Sequence, residues 1–164
     1  MNDVTKTMTE MSAYYAGQPH RINHFIKVYG FAKFIGEAEG IGADIQHIVE
    51  LAALTHDIGI KPSEEKYGDC NGKHQELEGP PKAMALFNKV GIDKKIAERV
   101  CFIIGKHHTY GENLGVDHQI IIEADFLVNA FEENMTCEQI ANVKRTIFKT
   151  NTGKVLLENL FGDN

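Results

Sequence analysis

His56 and Asp57 stand next to each other at the end of the apolar run Glu50-Leu51-Ala52-Ala53-Leu54-Thr55, and are followed by Ile58-Gly59-Ile60-Lys61. Ile45, Val49, Ala52 and His56 follow one another at offsets of four, three and four, so His56 continues one face of a helix. An imidazole and a carboxylate delivered into a core are costly unless something pairs them, and a divalent metal is the usual partner of that combination. A lone His-Asp dipeptide also has a plain reading, as the last turn of a helix whose negative end favours an imidazole. The same pattern recurs elsewhere, however. His24 shares a face with Val28, Phe31 and Ile35, and Asp125 with Ile121 and Val128. His107 aligns with Ile96, Val100 and Ile103, and His108 with Ala97, Cys101 and Ile104. Four helices that each turn an ionisable group inward need a common partner, and helical bundles build metal sites from such inward groups.

His24, His56, Asp57 and Asp125 make a shell of two imidazoles and two carboxylates with no thiolate. That mixture suits Fe, Mn, Co, Ni, Mg or Zn with positions left for water and substrate. His107 and His108 both fit a second metal site or a contact to substrate oxygen, and periodicity does not choose between them.

The elements that must position these groups are all helical. Residues 1–18 read as a lead-in with a helical turn around Met8–Tyr15. Pro19 opens a long helix to about Glu39. After Gly40 and Gly42, Asp44 caps the helix that carries the His-Asp pair. Residues 58–75 read as a long ordered loop, and Glu78-Gly79-Pro80-Pro81 as the opening of a helix to about Val90. Asp93 caps a helix to about His107, and another spans about His118–Glu133. Thr136 with Gln139 forms a capping box for a helix to about Thr150, and Gly153–Phe161 is the last. The expectation is one all-α domain, residues 19–164, of six or seven helices.

The 164 residues suffice for one core without staples, at 43% hydrophobic residues and a formal charge of −6. No apolar run is long enough to cross a bilayer, and Met1-Asn2-Asp3-Val4-Thr5-Lys6 lacks a signal-peptide core, so no membrane and a cytoplasmic location are expected. The acidic balance and scattered Lys and Arg speak against an extended nucleic-acid surface. Cys70, Cys101 and Cys137 have no metal or redox spacing and read as reduced thiols. Whether several copies of the chain assemble stays open.

With these residues in order, the chain resembles the HD-domain superfamily of metal-dependent phosphohydrolases, whose pattern is H…HD…D. The matching segments are His24-Phe25-Ile26-Lys27-Val28, Leu51-Ala52-Ala53-Leu54-Thr55-His56-Asp57-Ile58-Gly59 and Glu123-Ala124-Asp125, within about residues 19–133. The resemblance implies an all-helical fold, one or two divalent metal ions per chain, and hydrolysis of a phosphate ester or nucleotide-like small molecule. Asp57 would serve as ligand and proton acceptor. Larger-site members add histidines, which His107-His108 resembles. Glu78-Gly79-Pro80 stands where some relatives have His-Gly-Pro, so Glu78 reads either as a carboxylate ligand of a second metal or as a charge at a helix N-terminus. His74, in the same region, reads either as such a ligand or as a histidine on the pocket rim. Lys61 and Lys106 are candidates for holding phosphate, and the segment 62–77 for covering the pocket. Two rival readings are a metal- or nucleotide-binding sensor without turnover and a di-iron oxygenase, which needs six ligands.

Overall fold

The computed structural model describes residues 1–162, and among them every regular element is a helix. Three long helices form the inner bundle: α2 (Pro19–Glu39), α3 (Ala43–Thr55) and α7 (Val116–Glu132), preceded by α1 (Asp3–Tyr14). The chain leaves α3 through a tight 3-10 turn, His56–Gly59, and continues as α4 (Ile60–Tyr67) and α5 (Gly72–Val90). Helices α6 (Lys94–Ile104), α8 (Cys137–Thr146) and α9 (Asn151–Phe161) complete the nine described α-helices. The class is the expected one, and the count exceeds six or seven because α1 and α4 are helices in their own right. No described helix is long and apolar enough to cross a membrane.

The core is the set of aligned stripes read from the sequence: Val28 and Ile35 of α2, Val49 and Ala52 of α3, Ile121 and Val128 of α7, and Val100 and Ile103 of α6 are all buried. Ile45 is the solvent end of its stripe. Residues 1–18 are more than a lead-in. Met11 and Tyr15 of this segment are buried, Tyr14 donates to the carbonyl of Ile58 at 3.2 Å, and Tyr15 to that of Asp57 at 2.8 Å. The N-terminal segment therefore clamps the turn that carries the His-Asp pair.

Two features differ from the sequence reading. The expected loop over residues 58–75 is largely helical, with the 3-10 turn and α4 filling it and only 68–71 left between α4 and α5. Helix α5 starts at Gly72 instead of Glu78, capped by Asn71, whose side chain accepts from the His74 amide. Pro80 and Pro81 lie inside it, where their missing N–H groups leave helical carbonyls without amide donors. The helix holds because it is docked along one side. A Cβ on Gly59 would stand 2.5 Å from the carbonyl oxygen of Gln75 and 2.9 Å from the amide nitrogen of Gly79. A Cβ on Gly79 would stand 2.6 Å from Ile104. Gly59 and Gly79 thus let α5 lie directly on the His-Asp turn.

Helix α9 is attached through a buried carboxylate. Glu123 of α7 accepts from the amides of Lys149 (2.6 Å) and Thr150 (2.9 Å), from Gln119 (2.7 Å) and from the Thr150 hydroxyl. The capping box of Thr136 and Gln139 opens α8, where the sequence places it.

Candidate metal centre

His24 of α2, His56 and Asp57 of the 3-10 turn, and Asp125 of α7 converge at one point. His24 Nε2 lies 3.2 Å from His56 Nε2, 3.3 Å from Asp57 Oδ2 and 3.2 Å from Asp125 Oδ1. His56 Nε2 lies 3.4 Å and 3.5 Å from the same two carboxylate atoms. Ligands to a transition metal sit at about 2.0–2.2 Å, which places neighbouring ligand atoms on one ion roughly 3.0–3.5 Å apart. The distances from the two imidazoles fit that spacing: His24, His56 and Asp57 form one compact group, and Asp125 stands beside both rings.

The hydrogen bonds on the far side of each ring determine what the near side offers. His56 Nδ1 donates to the carbonyl of Ala53 at 2.8 Å, and His107 Nδ1 to that of Ile104 at 2.7 Å. A carbonyl can only accept, so Nδ1 carries the proton and Nε2 presents its lone pair inward. His24 Nδ1 is 2.8 Å from a carboxylate oxygen of Glu132, which Lys27 holds from the other side at 2.5 Å. Three imidazole lone pairs thus face carboxylate oxygens. Asn129 gives Asp125 an amide donor at 3.0 Å. A cluster made almost wholly of acceptors is repulsive until a cation fills it.

The titration of the cluster shows the same need. Burial opposes charge on His56, yet Asp57 and Asp125 outweigh it and hold the imidazole well above its usual range. Burial likewise opposes charge on His24, and the hydrogen bond to Asp125 with the charge of Asp57 raises it. Burial raises Asp57 and Asp125, but the neighbouring imidazoles leave both carboxyls well below the carboxylate range. Without a metal, protons on the imidazoles supply the missing positive charge.

His107 and His108 follow the end of α6 in a turn. Glu76 fixes that turn by accepting from the His108 amide (3.0 Å) and the Thr109 hydroxyl (2.9 Å). His107 is buried, and its Nε2 points to Asp57 Oδ1 at 3.6 Å without a hydrogen-bond partner. His108 Nε2 lies 3.3 Å from Gln75 Oε1. Burial and the neighbouring His107 push the His108 imidazole down to about 4, so it is neutral near pH 7. Asp57, His107 and His108 form a second group whose ligand atoms lie within 4.8 Å of one another, beside the first group of His24, His56 and Asp57. The helix face had not separated His107 from His108; the turn brings both to Asp57.

The other sequence candidates lie apart from these groups. Glu78 accepts from Lys66 (2.7 Å) and Tyr67 (2.8 Å), and His74 pairs with Asp69 at 2.7 Å while stacking on Tyr67. The i, i+4 geometry explains the placement: His74 and Glu78 share one side of α5, and α5 docks on the turn through Gln75 and Gly79. Lys61 lies over the Tyr14 ring, and Lys106 contributes its carbonyl to His118 Nε2 at 2.8 Å. Neither lysine lines the cavity at the metal centre. The segment 62–77 contributes Cys70 and Gln75 to that cavity's wall, as parts of a loop and of α5.

That cavity has a volume of about 300 Å³ and is lined on its inner side by His24, Asp57, His108 and Asp125. His20, which the sequence suggests is a surface or capping residue, also faces it, as do Arg21, Asn129 and Glu132, which the sequence reading did not single out. A signal existed for some of them. Arg21 precedes His24 by three residues, Asn129 follows Asp125 by four and Glu132 by seven, so helical spacing puts each beside a group already identified.

A family model for the HD domain matches residues 21–139, most of the chain. The chain belongs to the HD-domain family. A comparison with curated proteins finds no match. Among solved structures, the chain is similar to the crystal structure of a predicted HD superfamily hydrolase from an uncultured Thermotogales bacterium, at 25% identity and a TM-score of 0.64. The likeness covers 96% of this chain and 82% of that one. HD domains bind divalent metals, and two groups of side chains here, His24 with His56 and Asp57, and Asp57 with His107 and His108, could hold such ions.

Proposed function

We propose that this HD-domain protein is a phosphohydrolase that uses a metal-activated water on a small phosphate ester or nucleotide-like substrate. One observation carries the proposal: the inward nitrogens of His24 and His56 lie 3.2 Å apart, and each is 3.2–3.5 Å from an oxygen of Asp57 and of Asp125, at an open cavity. His24, His56, Asp57 and Asp125 would hold one ion, and Asp57 with His107 and His108 a second, with Asp57 shared. When bound, a divalent cation lowers the pKa of water and polarises a phosphoryl oxygen. The chain's own residues supply the remainder. Ala53 and Ile104 carbonyls fix the tautomers of His56 and His107, and Glu132 that of His24. Asp57, with one oxygen toward each group of histidines, is placed to take the proton released by the attacking water. Fe, Mn, Co, Ni, Mg and Zn are the candidate ions, and the partners are small phosphate-bearing molecules, not membranes or extended nucleic acid.

The placement of Glu78 and His74 away from Asp57 speaks against the six-ligand set of a di-iron oxygenase. The test is a screen of phosphomonoesters, phosphodiesters and nucleotides with each metal added, read as inorganic phosphate or nucleoside released. Turnover that disappears in His56→Ala and Asp57→Ala supports the hydrolase. Tight nucleotide binding without turnover in the metal-loaded protein replaces it with the sensor reading.

A further inference from the structure

The cavity wall beside the metal centre contains four carboxylates, Asp57, Asp125, Glu132 and Glu133, and Arg21 as its one Lys or Arg among the described residues. A phosphoryl group brought to this wall meets acidic surroundings and needs a fixed cation besides the metal. Arg21 is built for that role. It lies one helical turn before His24 on α2, and side chains three apart on a helix are neighbours, with Cβ atoms about 5–6 Å apart. Its Nη2 reaches Glu64 Oε1 at 3.3 Å, an exposed contact at the side. Its Nε is buried and has no hydrogen-bond partner. A guanidinium that lines the cavity, with its Glu64 pair on the exposed side and one donor left without a partner, offers the planar fork that matches two phosphoryl oxygens.

Resting on the phosphohydrolase reading above, we infer that Arg21 is the phosphate-recognition residue of this site and holds the substrate's terminal phosphoryl group against the face formed by His24, Asp57 and Asp125. The role expected from sequence of Lys61 and Lys106 passes to a residue that the fold places on the cavity. Because the wall offers one fixed guanidinium among carboxylates, it suits a single phosphoryl group and not a polyphosphate chain, which would set several more negative charges against Glu132 and Glu133.

The experiment measures binding of inorganic phosphate to the Mn(II)-loaded protein by calorimetry, with Mn(II) affinity and thermal melting measured in parallel. Arg21→Gln weakens phosphate binding roughly 10- to 100-fold, the loss expected for a charge-assisted hydrogen bond, and leaves Mn(II) affinity unchanged. Arg21→Lys keeps the charge but loses the fork, and falls between the two. Glu64→Gln removes the exposed ion pair and retains wild-type phosphate binding. If Arg21→Gln does not fold, the same readout on Arg21→Lys decides. Unchanged phosphate binding in the Arg21 variants overturns the inference and leaves the hydrolase reading standing. So does a loss in Glu64→Gln equal to that in Arg21→Gln, because the ion pair would then be structural. A wild-type protein that takes up Mn(II) yet neither binds phosphate nor releases it from any ester removes the hydrolase reading, and this inference with it.

Discussion

Two of the buried carboxylates of helix α7, Glu123 and Asp125, stand two residues apart and face opposite fates. Glu123 is surrounded by donors: two backbone amides, a side-chain amide and a hydroxyl close around it. Asp125 meets imidazoles whose Nδ1 protons are already committed elsewhere, together with a second carboxylate and a single amide from Asn129. The chain itself completes the first cluster, whereas only a proton or a metal completes the second. Burial of a polar group is therefore a poor sign of function by itself. The sign is a shortage of donors, since a folded chain does not leave buried acceptors facing one another without a reason.

Substitutions at the two carboxylates separate the clusters most widely. Asp125→Asn is expected to reduce turnover to background and weaken metal binding by at least about 10- to 100-fold, with little change in the melting of the metal-free protein. Phosphate-release assays and metal titration check this. Glu123→Ala is expected to do the reverse, lowering stability by roughly 2–4 kcal/mol because several buried donors lose their acceptor, while metal affinity is kept. Denaturant unfolding of both variants tests the pair. Equal loss of metal binding in the two would collapse the distinction drawn here.

The convergence of the candidate ligands was more legible in the sequence than the groups that support them. His24, His56, Asp57 and Asp125 could be placed together because each ends an apolar stripe, and helical periodicity is a local property. Glu132 and Glu76 act through partners distant in sequence, His24 with Lys27 and His108 with Thr109, which no local pattern announces. Gly79 misled for a related reason. Next to two prolines it reads as a helix start, but its value is the close approach of α5 to Gly59, visible only once the two segments meet. His74 and Glu78 lie on the side of α5 that meets Tyr67 of α4, and not on the side that docks on the His-Asp turn.

Gly59→Ala sharpens the link between support and site. The added methyl has no room against the α5 backbone, so a loss of about 1–3 kcal/mol is expected, together with weaker metal binding as the His-Asp turn is displaced. Thermal melting with and without Mn(II) measures both parts. A variant as stable and as metal-avid as wild type would mean that the turn tolerates more space than the packing shows.

A smaller, graded effect comes from pH. The folded-state pKa values of His24 and His56 are raised, so below those values both imidazoles are protonated, and protons compete with the metal for Nε2. Metal affinity is expected to fall as pH drops below neutrality and to rise with pH, with proton release on binding. Stability of the metal-free protein should run the other way. The raised pKa values contribute stability at low pH, and it is lost as pH rises through them. Titrations across pH 5 to 8, in buffers of different ionisation enthalpy, read the proton release directly. Metal binding that does not depend on pH would place the ion somewhere other than these imidazoles.

The most direct measurement is anomalous diffraction from crystals grown with Mn(II). The account predicts a peak within bonding distance of His24, His56, Asp57 and Asp125. A peak elsewhere on the molecule, or none at full Mn(II) loading, would contradict it.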